Sequence, residues 1–241
     1  MRLRSVTLAT ADPDALRPFY AERLGLPVSD TAEGFVVAVD ENRRFSAANQ
    51  NAKRSGDVGA STVEFRRATA DTAPTYHVAF SVPGGSAAAA TRWLDARADL
   101  LADGDRTQFR YEYLDATAMY ALDPAGNVLE LLARDGRAGS NDGGEFGPDS
   151  LLDVGEIGVV VDDVPRVAAA LADVFDVDGS PDAGFAYLGD EAGAFVLAAP
   201  GRAWFPTDRP AAPAPLTVVA TGGEGAVSFD GGRVTVVGID R

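Results

Sequence analysis

At 241 residues the chain is long enough for one large domain or a set of repeated modules, and its core needs no covalent staple. With no Cys and a single His, His77, it excludes disulfide scaffolds, Cys-ligated zinc, iron–sulfur clusters, thiol catalysis, any two-His metal site within one chain and any Ser-His-Asp triad not built on His77. Its 36 acidic residues against 21 basic ones leave a net charge of −15, which argues against nucleic acid as a partner.

In chain order, Leu3-Arg-Ser-Val-Thr-Leu-Ala-Thr alternates as a strand, with Val6 and Leu8 on one face and Ser5 and Thr7 on the other. Asp12-Pro13-Asp14 caps and starts a helix whose apolar face is Leu16, Phe19, Tyr20 and Leu24, closed by Gly25. Alternating segments follow at Gly34-Phe-Val-Val-Ala-Val and Ser61-Thr-Val-Glu-Phe, separated by a polar stretch, 42–59, that reads as a long loop. The same order returns at Tyr76-His-Val-Ala-Phe-Ser-Val, then Pro83-Gly-Gly-Ser86 and a helix through Ala90, Trp93, Leu94 and Arg97. Strands at Ala118-Met-Tyr-Ala-Leu and Asn127-Val-Leu-Glu-Leu-Leu complete it. A third start lies at Gly155-Glu-Ile-Gly-Val-Val-Val, with Asp162-Asp-Val-Pro165 and a helix through Val167, Ala168, Leu171 and Phe175. Near the end, Ser228-Phe-Asp-Gly-Gly-Arg-Val-Thr-Val-Val reads as a hairpin around Asp230-Gly231.

The repeat is a βαβββ unit, and the fold class it predicts is α+β, with helices covering one face of each sheet while the other face curls inward. Unit one spans 1–72, unit two 73–134, an exposed Gly/Asp/Ser/Asn-rich linker 135–150, and a divergent, separable third unit 151–241 ends in the hairpin. Period-2 alternation buries Val6, Val78 and Ile157 with their neighbours under the helices, so Ser5, His77 and Glu156 point to the opposite, concave face in equivalent slots. Which units share a barrel is left open by the sequence.

Val6-Thr-Leu followed by Phe19-Tyr-Ala-Glu-Arg-Leu-Gly-Leu-Pro27, Tyr76-His-Val-Ala-Phe, and Asp123-Pro-Ala-Gly-Asn-Val-Leu-Glu-Leu together resemble the vicinal oxygen chelate superfamily of glyoxalases, extradiol dioxygenases and bleomycin-resistance proteins. The resemblance covers residues 1 to about 134 well and 151 to about 221 weakly, through the strand–helix start. It implies repeated βαβββ modules, two of them forming a half-open barrel with a third beside it, around a divalent metal, Fe, Mn, Ni or Zn, held by ligands from the first and last strands of two units. If the first two units pair, the four slots hold Ser5, Glu64, His77 and Glu130. His77, Glu130 and Glu64 are competent ligands, while a Ser hydroxyl is a poor one.

The resemblance leaves two chemistries open. Extradiol ring cleavage is favoured slightly by Tyr120, ten residues ahead of Glu130, where that family places an acid–base Tyr; it expects a second His. Glyoxalase-like isomerisation uses a carboxylate able to leave the metal and move a proton beside a carbonyl, and it too expects His where Ser5 stands. Against these stand a metal-free, drug-sequestering module, consistent with Ser5, and a protein that keeps only the fold. Taken residue by residue, Glu64 beside Arg66 and Arg67 reads equally as a solvated ion pair, Tyr76 and Tyr120 as packing residues, and Glu156 as exposed or ion-paired. Arg202-Ala-Trp-Phe-Pro reads as a strand end before a Pro-rich stretch. The expected partner is a small molecule, with a homodimer closing the odd third unit. All basic residues but Lys53 are Arg, and the spread of Asp along the chain predicts a uniformly acidic surface suited to a salt-accumulating, halophilic host. No apolar run reaches membrane length and Met1-Arg-Leu-Arg leads directly into a strand, so the expected location is the cytoplasm.

Overall fold

The computed structural model describes residues 1–39, 61–69, 74–138 and 145–240; the expected loop at 42–59 lies outside them. Among the described residues, fourteen strands form two seven-stranded sheets. Sheet A runs β13 (Gly225–Phe229), β14 (Val234–Ile239), β12 (Leu216–Thr221), β1 (Arg2–Thr10), β4 (Ser61–Arg67), β3 (Gly34–Val39), β2 (Val28–Asp30). Sheet B runs β10 (Phe185–Asp190), β11 (Gly193–Ala198), β9 (Asp153–Val160), β5 (His77–Pro83), β8 (Val128–Arg134), β7 (Ala116–Leu122), β6 (Phe109–Tyr111). Sheet B is the half-barrel, and the strand-rich α+β class read from the repeat is the one observed.

The pairing that the sequence left open is resolved by two central antiparallel contacts. β5 of the second unit pairs with β9 of the third, and β1 of the first pairs with β12. The last 90 residues are thus divided: β9 to β11 extend sheet B, and β12 to β14 extend sheet A, each trio repeating the order first strand, last strand, middle strand. Both halves of the third unit find partner strands within the chain, so the unpaired module on which a dimer was expected does not exist. Residues 145–150 are not a bare linker either. Phe146 is buried against Trp93, their ring centroids 5.7 Å apart.

Local signals explain the helices. Asp12 accepts hydrogen bonds from the amides of Asp14 and Ala15 and so caps α1 (Pro13–Pro18), which continues as a π-turn through Phe19–Arg23. In α2 (Ala87–Asp95) the buried face is Ala90, Trp93 and Leu94; in α3 (Val164–Phe175), capped by Asp163, it includes Val167, Ala168, Leu171 and Phe175. These faces and the apolar parity of both sheets merge into one core containing Val6, Phe65, Phe80, Leu131, Ile157 and Phe195. A second, smaller cluster, with Phe109, Tyr120, Val128, Leu132, Val196 and Trp204, lies on the other face of sheet B. That concave surface is filled by side chains that pack, and it is the face on which sheet B carries its buried His77, Glu130 and Glu156. Among the described residues no helix is long and apolar enough to cross a membrane.

Candidate metal centre

Each central pair carries a register shift, between Leu3 and Ser5 in β1 and between Ala79 and Phe80 in β5. Opposite the latter, Glu156 pairs with Ala79 and Val154 with Phe80, so Gly155 is the extra residue of a bulge. Gly suits the position, because a Cβ there would meet the Ser81 hydroxyl oxygen and force it to turn. The bulge lies next to Glu156 and brings its carboxylate beside two residues on β5 and β8.

Those residues are His77 and Glu130. His77 Nε2 is 2.7 Å from Glu130 Oε2, and all three side chains offer ligand atoms within 4.8 Å of one another. All three are buried. Tyr120 donates to Glu130 Oε1 at 3.1 Å, and its oxygen lies 2.8 Å from that of Tyr111. On the far side, Arg134 Nη2 donates to Glu156 Oε1 at 2.7 Å and the Tyr187 hydroxyl donates to the same oxygen at 2.9 Å. Trp204 stacks on the His77 imidazole with centroids 5.5 Å apart. Gly158 makes the stack possible, because a Cβ at that position would come within 2.7 Å of Trp204.

The register also shows what became of the other slots. Glu130 pairs with Ala79, two residues past His77; the residue paired with Gly158, two past Glu156, is Val196. The fourth position of sheet B is therefore apolar, and the donor set is one imidazole and two carboxylates. In sheet A the same geometry gives Ser5, Glu64, Thr217 and Val237. Glu64 does not join His77. It sits on β4, bonded to Arg66 Nε at 2.8 Å and to the Thr7 hydroxyl at 3.3 Å, as the ion-pair reading of the sequence has it. Glu156 stands with His77 and Glu130 instead, both buried and ion-paired.

Electrostatics make the cluster sensitive to cations. Burial, then the neighbouring charge of Glu130, pushes the Glu156 carboxyl up to about 7. For His77, burial favours the neutral ring, but the hydrogen bond and charge of Glu130 and the charge of Glu156 outweigh it and raise its pKa. Burial and the Glu130 charge hold the Tyr120 hydroxyl well above the ordinary phenol range, so it remains a neutral donor. Two carboxylates share this buried space with one guanidinium, and His77 Nδ1 has no hydrogen-bond partner although it is buried. A divalent cation in place of the proton between His77 Nε2 and Glu130 would meet one nitrogen and the oxygens of two carboxylates, a donor set that suits Mn, Fe, Ni or Zn. The residues fit such an ion.

The cluster forms the floor of a cavity of about 360 Å³. Its walls are Tyr111, Tyr113, Tyr187, Phe185, Trp204 and Phe205. The last two belong to a strap, residues 199–215, that joins β11 to β12 and folds over the concave face; the run expected to be a strand end supplies the roof of the site. Backbone bonds from Trp204 to Arg209 at 2.9 Å and from Ala211 to Arg202 at 2.6 Å hold the strap as a tight hairpin.

A family described as the Glyoxalase-like domain matches residues 5–132. No curated protein sequence matches. Among solved structures, a putative dioxygenase from Bacillus subtilis superposes with a TM-score of 0.61 at 15% identity, covering 100% of this chain and 85% of its own. A point variant of glyoxalase I from Zea mays gives a TM-score of 0.52 at 14% identity, covering 99% and 93%. Glyoxalase I from the same plant, without that substitution, gives 0.50 at 13% identity over 90% and 74%. At these identities the likeness is one of fold.

Proposed function

The chain belongs to the glyoxalase-like domain family of the vicinal oxygen chelate superfamily, and from that premise we propose that it is a divalent-metal-dependent enzyme acting on a small oxygenated molecule, with His77, Glu130 and Glu156 holding the ion. One observation carries the reading: an imidazole and two carboxylates from three different strands converge, buried, at the floor of an aromatic-walled cavity. When bound, the ion supplies Lewis-acid polarisation of a substrate oxygen.

The residues of the chain divide the remaining work. Glu130 is the base: Tyr120 holds its Oε1 from behind, and the carboxylate is placed to accept a proton from a carbon beside a carbonyl. Tyr120, kept neutral by burial, donates a hydrogen bond that Tyr111 extends toward the cavity. Arg134 and Tyr187 keep Glu156 from turning away, and Trp204 shields the imidazole from water. Two carboxylates with one His favour glyoxalase-like proton transfer over extradiol ring cleavage, whose iron site takes two His and one carboxylate. The hydroxyl of Tyr120 beside Glu130 is the one feature that favours ring cleavage. Because the cluster is complete within one chain, the reading needs no second copy.

Protein reconstituted separately with Mn, Fe, Ni and Zn tests this. Hemithioacetal carbon protons should exchange in deuterated buffer, followed by NMR, and Glu130→Gln should abolish the exchange. Oxygen uptake with catechols and no exchange selects ring cleavage. Neither reaction with any of the four ions overturns the enzyme reading and leaves a binding module.

A further inference from the structure

Two of the three large hydrophobic side chains exposed among the described residues stand at the mouth of this one cavity: Tyr113 at 70% and Phe205 at 46%. Exposed aromatic rings are costly to leave in water, and two at one rim mark a surface that a ligand covers. Both rings meet other aromatic rings of the cavity. Tyr113 stands edge-on to Tyr111 and Tyr187, and Phe205 edge-on to Phe109 and Tyr120, with centroids 4.8–6.4 Å apart. A wall of aromatic rings with the His77–Glu130–Glu156 cluster beneath it fits a flat, unsaturated body better than a branched aliphatic one.

The same mouth holds a cation. Arg202 lies over the Phe185 ring, 4.5 Å from its centroid, and no carboxylate pairs with it among the described residues. Both its backbone N–H and its carbonyl are bonded, to Ala199 and Ala211, so its position is set by the strap. A guanidinium over an aromatic ring meets no hydrogen-bond acceptor there, which leaves N–H donors to receive a carboxylate by two parallel bonds. In a chain of net charge −15 the general field repels an anion, and beyond about 10 Å that field is screened, so a local cation decides whether an anion enters. Arg202, Trp204 and Phe205 lie on the strap, outside the stretch 5–132 that matches the family, whereas Tyr113 lies within it.

We propose that the cavity selects a flat, ring-bearing ligand whose oxygens reach the His77–Glu130–Glu156 floor and whose far side carries an anionic group, and that Arg202 is the specificity residue that reads the anion. The proposal rests on the metal-site reading for the inner end of the ligand and on the strap alone for the outer end.

Calorimetric titration with three probes tests it: 3,4-dihydroxybenzoate, catechol, and the ring-saturated 3,4-dihydroxycyclohexanecarboxylate. The wild-type protein, with and without Mn²⁺, should bind the first about 10-fold more tightly than either of the others, as expected for one solvent-edged charge-assisted contact. Arg202→Gln should bring 3,4-dihydroxybenzoate to the affinity of catechol, and Arg202→Lys should restore part of the difference. Equal binding of the saturated probe overturns the ring requirement. An unchanged preference in Arg202→Gln overturns the role of Arg202. If the ring and anion preference persists while no Mn²⁺ is taken up, the metal reading fails and this inference stands.

Discussion

Replacing Arg134 by Gln strands a charge that the fold otherwise neutralises. Arg134 and Glu156 are 3% and 4% exposed and 2.7 Å apart, so neither can turn to water. Removing one partner of such a pair costs about 3–5 kcal/mol. Here the Tyr187 hydroxyl still binds Glu156 Oε1, which places the loss at the lower end, about 3 kcal/mol in metal-free protein at pH 8. For a chain of this length that corresponds to a fall in melting temperature of roughly 6–12 °C. The double variant Arg134→Gln/Glu156→Gln removes the stranded charge together with its partner and should recover most of the loss, since replacing both members of a buried pair is often close to neutral. Urea denaturation followed by circular dichroism, with EDTA present, measures all four corners of the cycle. If Arg134→Gln lies within about 0.5 kcal/mol of wild type, or if the double variant is as unstable as the sum of the singles, the clamp on Glu156 is not what the geometry indicates.

Other consequences are measurable in the same way. Glu156 has its folded pKa raised to about 7 and His77 is raised as well, so the folded protein holds these protons more tightly than the unfolded chain. That contribution is full below pH about 4.5 and is lost as the pH rises through 7, so the urea midpoint of metal-free protein should fall from pH 5 to pH 8; a rise contradicts it. Gly158→Ala places a Cβ 2.7 Å from Trp204 and 2.9 Å from the His77 Cβ, which should cost about 1–3 kcal/mol and red-shift the Trp204 emission; an unchanged spectrum would show that the stack absorbs a methyl group. Tyr76, pushed up to about 12 by burial, donates to the Pro215 carbonyl at 2.6 Å. Its contribution is full below pH 10 and lost toward pH 12, a slope that Tyr76→Phe should reduce in alkaline denaturation.

Much of this was legible in the sequence because it follows from short-range periodicity. The buried faces Leu16, Phe19, Tyr20, Leu24 and Val167, Ala168, Leu171, Phe175 are read directly from helical spacing, and the concave orientation of His77 follows from alternation with Val78 and Phe80. Glu130 follows from the Asp123-Pro-Ala-Gly-Asn turn, in which Asp123 accepts from the amides of Ala125 and Asn127 and so launches β8 in a fixed phase. What alternation does not carry is the choice of partner strand. Ser5, His77 and Glu156 occupy equivalent slots, but which two share a sheet depends on long-range pairing, and so Glu64 and Glu156 are indistinguishable as third donors until β5 meets β9. Arg134 had a usable signal: it shares the parity of Glu130 in a strand that is buried throughout, and a guanidinium there requires an anion on the same face. Trp204 had none, since the strap that carries it has no period and is held by its own backbone turns and by a stack on a distant imidazole.

The central claim is that one ion is held by three particular side chains. Dialysis against Mn²⁺ followed by elemental analysis should give one ion per chain for the wild type, one for Glu64→Gln, and none for Glu156→Gln or His77→Ala. No ion in the wild type, or loss in Glu64→Gln with retention in Glu156→Gln, would contradict it.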